Sequence, residues 1–237
     1  MKQILSFSMS AALLLGLLSA HAQKQETLEG NGNRITKTMN VQPFTQLEAS
    51  GVYDLRLTQG STEGVSIEAD ENLQPLFNVH NEGGKLVIEM KELKDKNLRV
   101  KKNMVVQVQF KNLNAMDLRM VGNVTSSNNL SFQNLKLTNS SVGHVDLALR
   151  ADRLNLENTS VGNVTLTGRA DEAVFHNSGV GSLKAGDFVV QTLDIDNSGV
   201  GSVEVNAAKG LKVQDSFLGK VRNRGAASMR KKNKVVI

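Results

Sequence analysis

The sequence predicts an all-β chain built as a parallel β-solenoid (β-helix) with coils of about 19 residues, preceded by an N-terminal β-hairpin region that caps it. Three observations carry this. A Val/Leu-Gly-x-Val/Leu motif recurs at Val121-Gly122-Asn123-Val124, Val142-Gly143-His144-Val145, Val161-Gly162-Asn163-Val164, Val180-Gly181-Ser182-Leu183, Val200-Gly201-Ser202-Val203 and Leu218-Gly219-Lys220-Val221. Its glycines are 21, 19, 19, 20 and 18 residues apart, a period that marks a repeat architecture. Before the last five of these glycines, apolar pairs (Leu135 and Leu137, Leu154 and Leu156, Ala173 and Phe175, Leu193 and Ile195, Leu211 and Val213) alternate with a mostly polar residue, the signature of a half-buried strand.

Taken in chain order, the first element is Met1-Lys2, an apolar run from Ile4 to Leu18 and the A-x-A site Ala20-His21-Ala22, read as a signal peptide over residues 1–22. The absence of Cys removes a lipid anchor, disulfides and thiolate metal sites together. No later segment is apolar for long enough to span a bilayer as a helix, so export to the periplasm, the cell surface or the medium is expected. The formal charge of +5 falls to +4 without Lys2, and export leaves no nucleic-acid partner to expect.

Residues 23–40 are polar and read as a flexible lead-in. Residues 41–112 form the N-terminal β region, with strands expected at Gln46–Ser50, Val52–Thr58, Gly64–Ala69, Phe77–Asn81, Lys85–Met90 and Met104–Phe110. Gln59-Gly60-Ser61 and Gly83-Gly84 are turn signals, and Asp70-Glu71-Asn72-Leu73 suits one helical turn before Pro75. This region covers an end of the solenoid that would otherwise template aggregation.

The solenoid repeats are assigned to residues 113–225. One such unit is too small to bury its own apolar face, and stacking neighbours at ~4.8 Å makes the core continuous. Asn139, Asn158, Asn177 and Asn197, then Asp215, stand four residues before the motif glycine and share strand parity with the buried pairs. They are expected to form an inward amide ladder. A second apolar group surrounds each glycine, such as Val142 with Val145 and Leu147. Residues 226–237 are a basic C-terminal tail or cap.

Few residues remain for chemistry. Asp152 and Asp171 occupy equivalent coil positions beside Arg150 and Arg169, and stacked carboxylates are the form a glycoside-cleaving pair would take here. Turn-forming Asp beside Arg is the favoured reading of both, because Asp suits turns. Arg222, Arg224, Arg230, Lys231 and Lys232 form a basic cluster where the apolar repeat ends, either a polar cap or a contact for an anionic glycan or phosphate. His144 and His176 lie at different repeat positions, so no metal site and no cofactor are expected.

The run Glu48-Ala49-Ser50-Gly51-Val52-Tyr53-Asp54-Leu55, then Val65-Ser66-Ile67-Glu68-Ala69-Asp70-Glu71-Asn72-Leu73, followed by the Asn-Ser-Gly-Val-Gly units, resembles the putative auto-transporter adhesin, head GIN domain family. The likeness covers roughly residues 40–225. It implies an exported bacterial β-solenoid with an adhesive or cell-surface role. The family repeat usually carries an acid after the glycine, where this chain has Asn123, His144, Asn163, Ser182, Ser202 and Lys220. The expected function is a non-catalytic structural or binding module at the cell envelope, with envelope or host glycans or another envelope protein as partners. A carbohydrate-active enzyme or glycan-binding module using the wall carboxylates is the alternative, and the oligomeric state is left open.

Overall fold

The computed structural model describes residues 26–91, 93, 96–215 and 220–231. The signal-peptide segment 1–22, Leu218-Gly219 of the last motif and Lys232 lie outside the described residues. The elements in chain order are β1 (Glu26–Glu29), β2 (Arg34–Met39), β3 (Gln46–Val52), β4 (Asp54–Gln59), β5 (Gly64–Asp70), a 3-10 helix (Glu71–Leu76), β6 (Phe77–Glu82), β7 (Lys85–Met90), β8 (Lys96–Arg99) and β9 (Val105–Phe110). They continue as β10 (Ala115–Val121), β11 (Val124–Ser126), β12 (Leu130–Asn139), β13 (Val145–Asn158), β14 (Val164–Asn177), β15 (Leu183–Asn197), β16 (Val203–Asp215), β17 (Val221–Asn223) and β18 (Met229–Lys231). They build a parallel β-solenoid of about six turns.

From β12 to β16 each coil is one long strand that bends around the core and stacks parallel on the next, with Leu135, Leu154, Ala173, Leu193 and Leu211 in successive register. Each of these side chains is at most 3% exposed. The inward column Leu47, Met116, Leu137, Leu156, Phe175, Ile195, Val213 runs beside it through seven layers.

The boundary expected near residue 112 is not a boundary in the fold. β3 pairs parallel with β10, and β4 pairs parallel with β11, so Gln46–Gln59 is a coil of the solenoid itself. Beneath it β7 and β9 add a further parallel layer. Only then does the direction reverse: β6 pairs antiparallel with β7, β5 with β9 and β2 with β5. The N-terminal end is therefore covered, as expected, by antiparallel strands that include the β6–β7 hairpin, together with the 3-10 helix. The Gly83-Gly84 hairpin forms, with φ of 55° and 80°.

Of the expected lead-in 23–40, the described part 26–40 departs from expectation, because β1 pairs with β8 and β2 with β5. The polar sequence of β2 follows from its place on the outermost edge, where its side chains are exposed or half-buried. At the other end Met229–Lys231 pairs parallel with Leu211–Val213, so this part of the basic segment continues the stack rather than forming a tail.

Two columns explain the repeat. Gly122, Gly143, Gly162, Gly181 and Gly201 have φ between 132° and 146°. A Cβ on Gly162 would stand 1.9 Å from the Gly143 carbonyl oxygen, and the same clash recurs up the column. Both the left-handed backbone and the close approach demand glycine. The amides form the expected ladder: Asn139 Nδ2 donates to Asn158 Oδ1 at 2.9 Å, Asn158 to Asn177 at 2.7 Å, and Asn177 to Asn197 at 2.6 Å. The same inward column reads Ala49 and Leu118 lower down, so the ladder has a fixed lower end at Asn139. There Ser141 donates its backbone N–H and its hydroxyl to Asn139 Oδ1, satisfying the terminal acceptor.

Candidate functional site

The structure separates most of the residues the sequence offers for chemistry. Asp152 and Asp171 are exposed and sit one coil apart, flanked by the register pairs Ala151–Ala170 and Arg153–Glu172. Arg153 Nε donates to Glu172 Oε2 at 3.0 Å beside them. Asp152 lies on a groove of about 570 Å³ with Thr45, Asn112, Asn114 and Gln133, and Asp171 does not line that groove. The two exposed carboxylates therefore stack on neighbouring coils, and Asp152 is the one that lines this groove.

The basic cluster is divided. Arg222 lies on β17 in register with Glu204, and Arg224 Nη1 approaches Asp187 Oδ1 at 3.3 Å and Glu204 Oε1 at 3.4 Å. Arg230 and Lys231 lie on β18, in register with Lys212 and Val213. Arg222 and the pair Arg230 and Lys231 thus lie on two strands that stack on different parts of β16, with Arg224 just after the first.

A ladder of ion pairs climbs the wall formed by β7, β3, β10 and the second halves of the longer strands. Lys85 Nζ donates to Glu48 Oε2 at 2.9 Å, and Arg119 pairs with the other oxygen of Glu48. Above them stand Lys136–Glu157 at 3.1 Å, Arg153–Glu172 at 3.0 Å and His176 Nδ1 facing Asp196 Oδ2 at 3.4 Å. The hydrogen bond from Lys85, with the nearby charge of Arg119, holds the Glu48 carboxyl below the ordinary carboxylate range, against the opposing effect of partial burial. Among the described residues no three His, Asp or Glu side chains converge as a metal site would require.

One surface feature corrects the reading of the repeat. Val142 is not a core partner of Val145 and Leu147: the latter two are buried, and Val142 is 49% exposed. Val52, Val121, Val142, Val161, Val180 and Val200 are bridged in succession along one edge of the solenoid. Parity held the signal, because Asn139 and Ser141 point inward and Val142 must then point out. The following glycine resets the alternation and hides it.

A β-solenoid whose surface is made of columns of like residues belongs to the class of repeat-built solenoid proteins. More narrowly, the chain belongs to the family described as putative auto-transporter adhesin, head GIN domain, which matches residues 43–227. Among solved structures it is similar to a putative adhesin from Bacteroides fragilis, with 24% identity and a TM-score of 0.70 over 86% of this chain and 100% of the other. A putative lipid binding protein from Parabacteroides distasonis shows 19% identity and a TM-score of 0.60, over 88% and 100% of the two chains. A putative adhesin from Parabacteroides merdae shows 22% identity and a TM-score of 0.59, over 87% and 95%. At these identities the likeness is one of fold. No curated protein matches the chain. Among the described residues no helix is long and apolar enough to cross a membrane.

Proposed function

We propose that the chain is a non-catalytic, adhesin-like binding module, exported by its N-terminal segment and acting at the bacterial cell envelope. One observation carries the reading. The repeated residues form columns, with one residue type per turn over several turns, and a column offers the same contact many times along a line. That is the geometry of multivalent attachment, in which weak equal contacts add along an extended partner. Catalysis asks for the opposite, unlike groups converging on one reacting atom. Membership of an adhesin family supports the same reading.

The carboxylates Asp152 and Asp171 supply its test. Wild type and the Asp152→Asn/Asp171→Asn variant are incubated with oligosaccharides, and bound and free sugars are weighed by mass spectrometry. The proposal expects no shortened sugar from either protein. Shortened products from the wild type, lost in a variant that still melts cooperatively at the same temperature, would make the chain a carbohydrate-active enzyme.

A further inference from the structure

We infer that the valine edge of the solenoid is a docking track for an extended, uncharged glycan chain lying along the stack axis; the inference rests on the binding-module reading above. Six valines, from Val52 to Val200, stand in one bridged column, each between 43% and 52% exposed. Five steps of ~4.8 Å make the ridge about 24 Å long. It is held rigidly, since the backbone on both sides of each valine bonds to adjacent coils: Val161 N–H donates to Ser141 O at 3.0 Å, and Val161 O accepts from Gly143 N–H at 2.9 Å.

The flanks define what can lie there. On one side run the exposed Ser140, Thr159, Ser178 and Ser198, and on the other His144, Asn163, Ser182 and Ser202. Ser140 and Thr159 share a hydrogen bond of 2.8 Å, as do Ser202 and Ser182, so the rows are ordered and each hydroxyl keeps further capacity. Asn163 Oδ1 accepts the Ser182 N–H at 3.0 Å, which anchors this amide to the next coil. With the valines between them, these rows contain no carboxylate, ammonium or guanidinium group, in a chain where 22% of residues are charged. The neighbouring wall carries the ion pairs instead. Arg119 flanks Val121 and Asp54 flanks Val52, so the charge-free part of the ridge is Val142 to Val200, about 14 Å at ~4.8 Å per coil, and Lys220 bounds it above.

An aliphatic ridge between two hydroxyl and amide rows matches a sugar chain, which presents C–H faces flanked by equatorial hydroxyls. The ridge is one residue wide and its apolar surface is on the order of a few hundred Å², below the ~800 Å² per partner of a stable protein interface. A second copy of the chain is therefore a poor occupant, and a narrow polymer a good one. The lack of charge disfavours anionic polymers. The period separates glycan from peptide: one coil rise is comparable to one sugar along an extended β-linked chain, whereas a peptide strand repeats at roughly 6.6 Å and drifts out of phase.

The test is co-sedimentation of the purified chain with insoluble cellulose and chitin, with alginate beads as the anionic polymer and whole bacterial cells as a mixed surface. Two variants accompany the wild type: Val142→Glu/Val180→Glu, which charges the ridge in alternate coils, and Val142→Thr/Val161→Thr/Val180→Thr, which keeps shape and strand preference. The inference expects binding to cellulose or chitin that persists at high salt, falls about tenfold or more in the Glu variant, and weakens in the Thr variant. Unchanged binding in both variants would remove the track from this edge and leave the module reading standing. Binding only to alginate, abolished by salt, or to cells but to no neutral polymer, would overturn the ligand class. No binding by the wild type to any of the four would sink the module reading itself.

Discussion

At the scale of single residues the fold depends on positions where no other side chain fits. Gly162 combines a φ of 141° with a Cβ position 1.9 Å from a backbone oxygen, so Gly162→Ala strains the chain and pushes the coils apart. The expected cost is about 3 kcal/mol, read as a lower urea midpoint or a drop in Tm of roughly 6–12 °C. Gly64 has open space at its Cβ, and Gly64→Ala should stay within about 0.5 kcal/mol of the wild type. Equal effects at the two sites would contradict the close-approach account. Glu48 gives a pH test. Its carboxyl is held below the ordinary range when folded, so it binds fewer protons folded than unfolded. Its contribution is present above the unfolded value of about 4.3 and lost as pH falls through the lower folded one. Glu48→Gln should lose stability near neutrality and show a flatter acid limb, measured by Tm from pH 7 to pH 3.

These residue-level constraints explain what could be seen beforehand. Regular spacing made the glycines and the inward Asn column legible, because identical coils need identical solutions at identical positions. The valine ridge stayed hidden because Gly143 and its equivalents break strand parity, and an apolar residue read alone suggests burial. The pairing of Asp152 with Asp171 was legible as a spacing. Their open setting was not, since exposure at a corner depends on where the coil turns.

Elements decide the next level. The Asn ladder is buried, and an interior member serves two neighbours. Asn158→Ala leaves Asn139 Nδ2 and Asn177 Oδ1 unpaired and removes the acceptor of the Ser160 hydroxyl, for about 3 kcal/mol. Asn139→Ala should cost about 1 kcal/mol less, because it strands two groups, the Ser141 N–H and hydroxyl, against three, while Asn158 Oδ1 keeps Ser160. Denaturant titration of both variants checks the order, and a reversed order would place the load at the ladder end. The strands of the first half were legible one by one, since their alternation is local: Phe77–Glu82 and Lys85–Met90 fall close to the expected spans. Their partners were not, because nothing local tells Gln46–Gln59 that its neighbours lie 69 residues away, in β10 and β11. The polar segment Arg34–Met39 looked loose for the same reason: its order comes from β5, not from its own composition.

Among the described residues sixteen strands form one stacked sheet, closed by antiparallel strands at the N-terminal end and continuing to β17 and β18 at the other, while β1 and β8 pair apart from it. Stability in such a stack is a sum of coil and neighbour terms, so central coils with two neighbours should open last. Native-state hydrogen exchange is expected to be slowest in β13 to β15 and fastest in β18. Exchange in β3 and β4 should match the body of the stack, and early opening of Gln46–Gln59 as a unit would show a separable cap instead.

The same stacking turns one coil's surface into columns, and those columns are the basis of the functional reading. The most direct measurement is glycan-array binding by the purified chain, with mass spectrometry on every bound glycan. Retention of glycans at unchanged mass is the predicted result, and shortened glycans on the array would contradict a non-catalytic binding module.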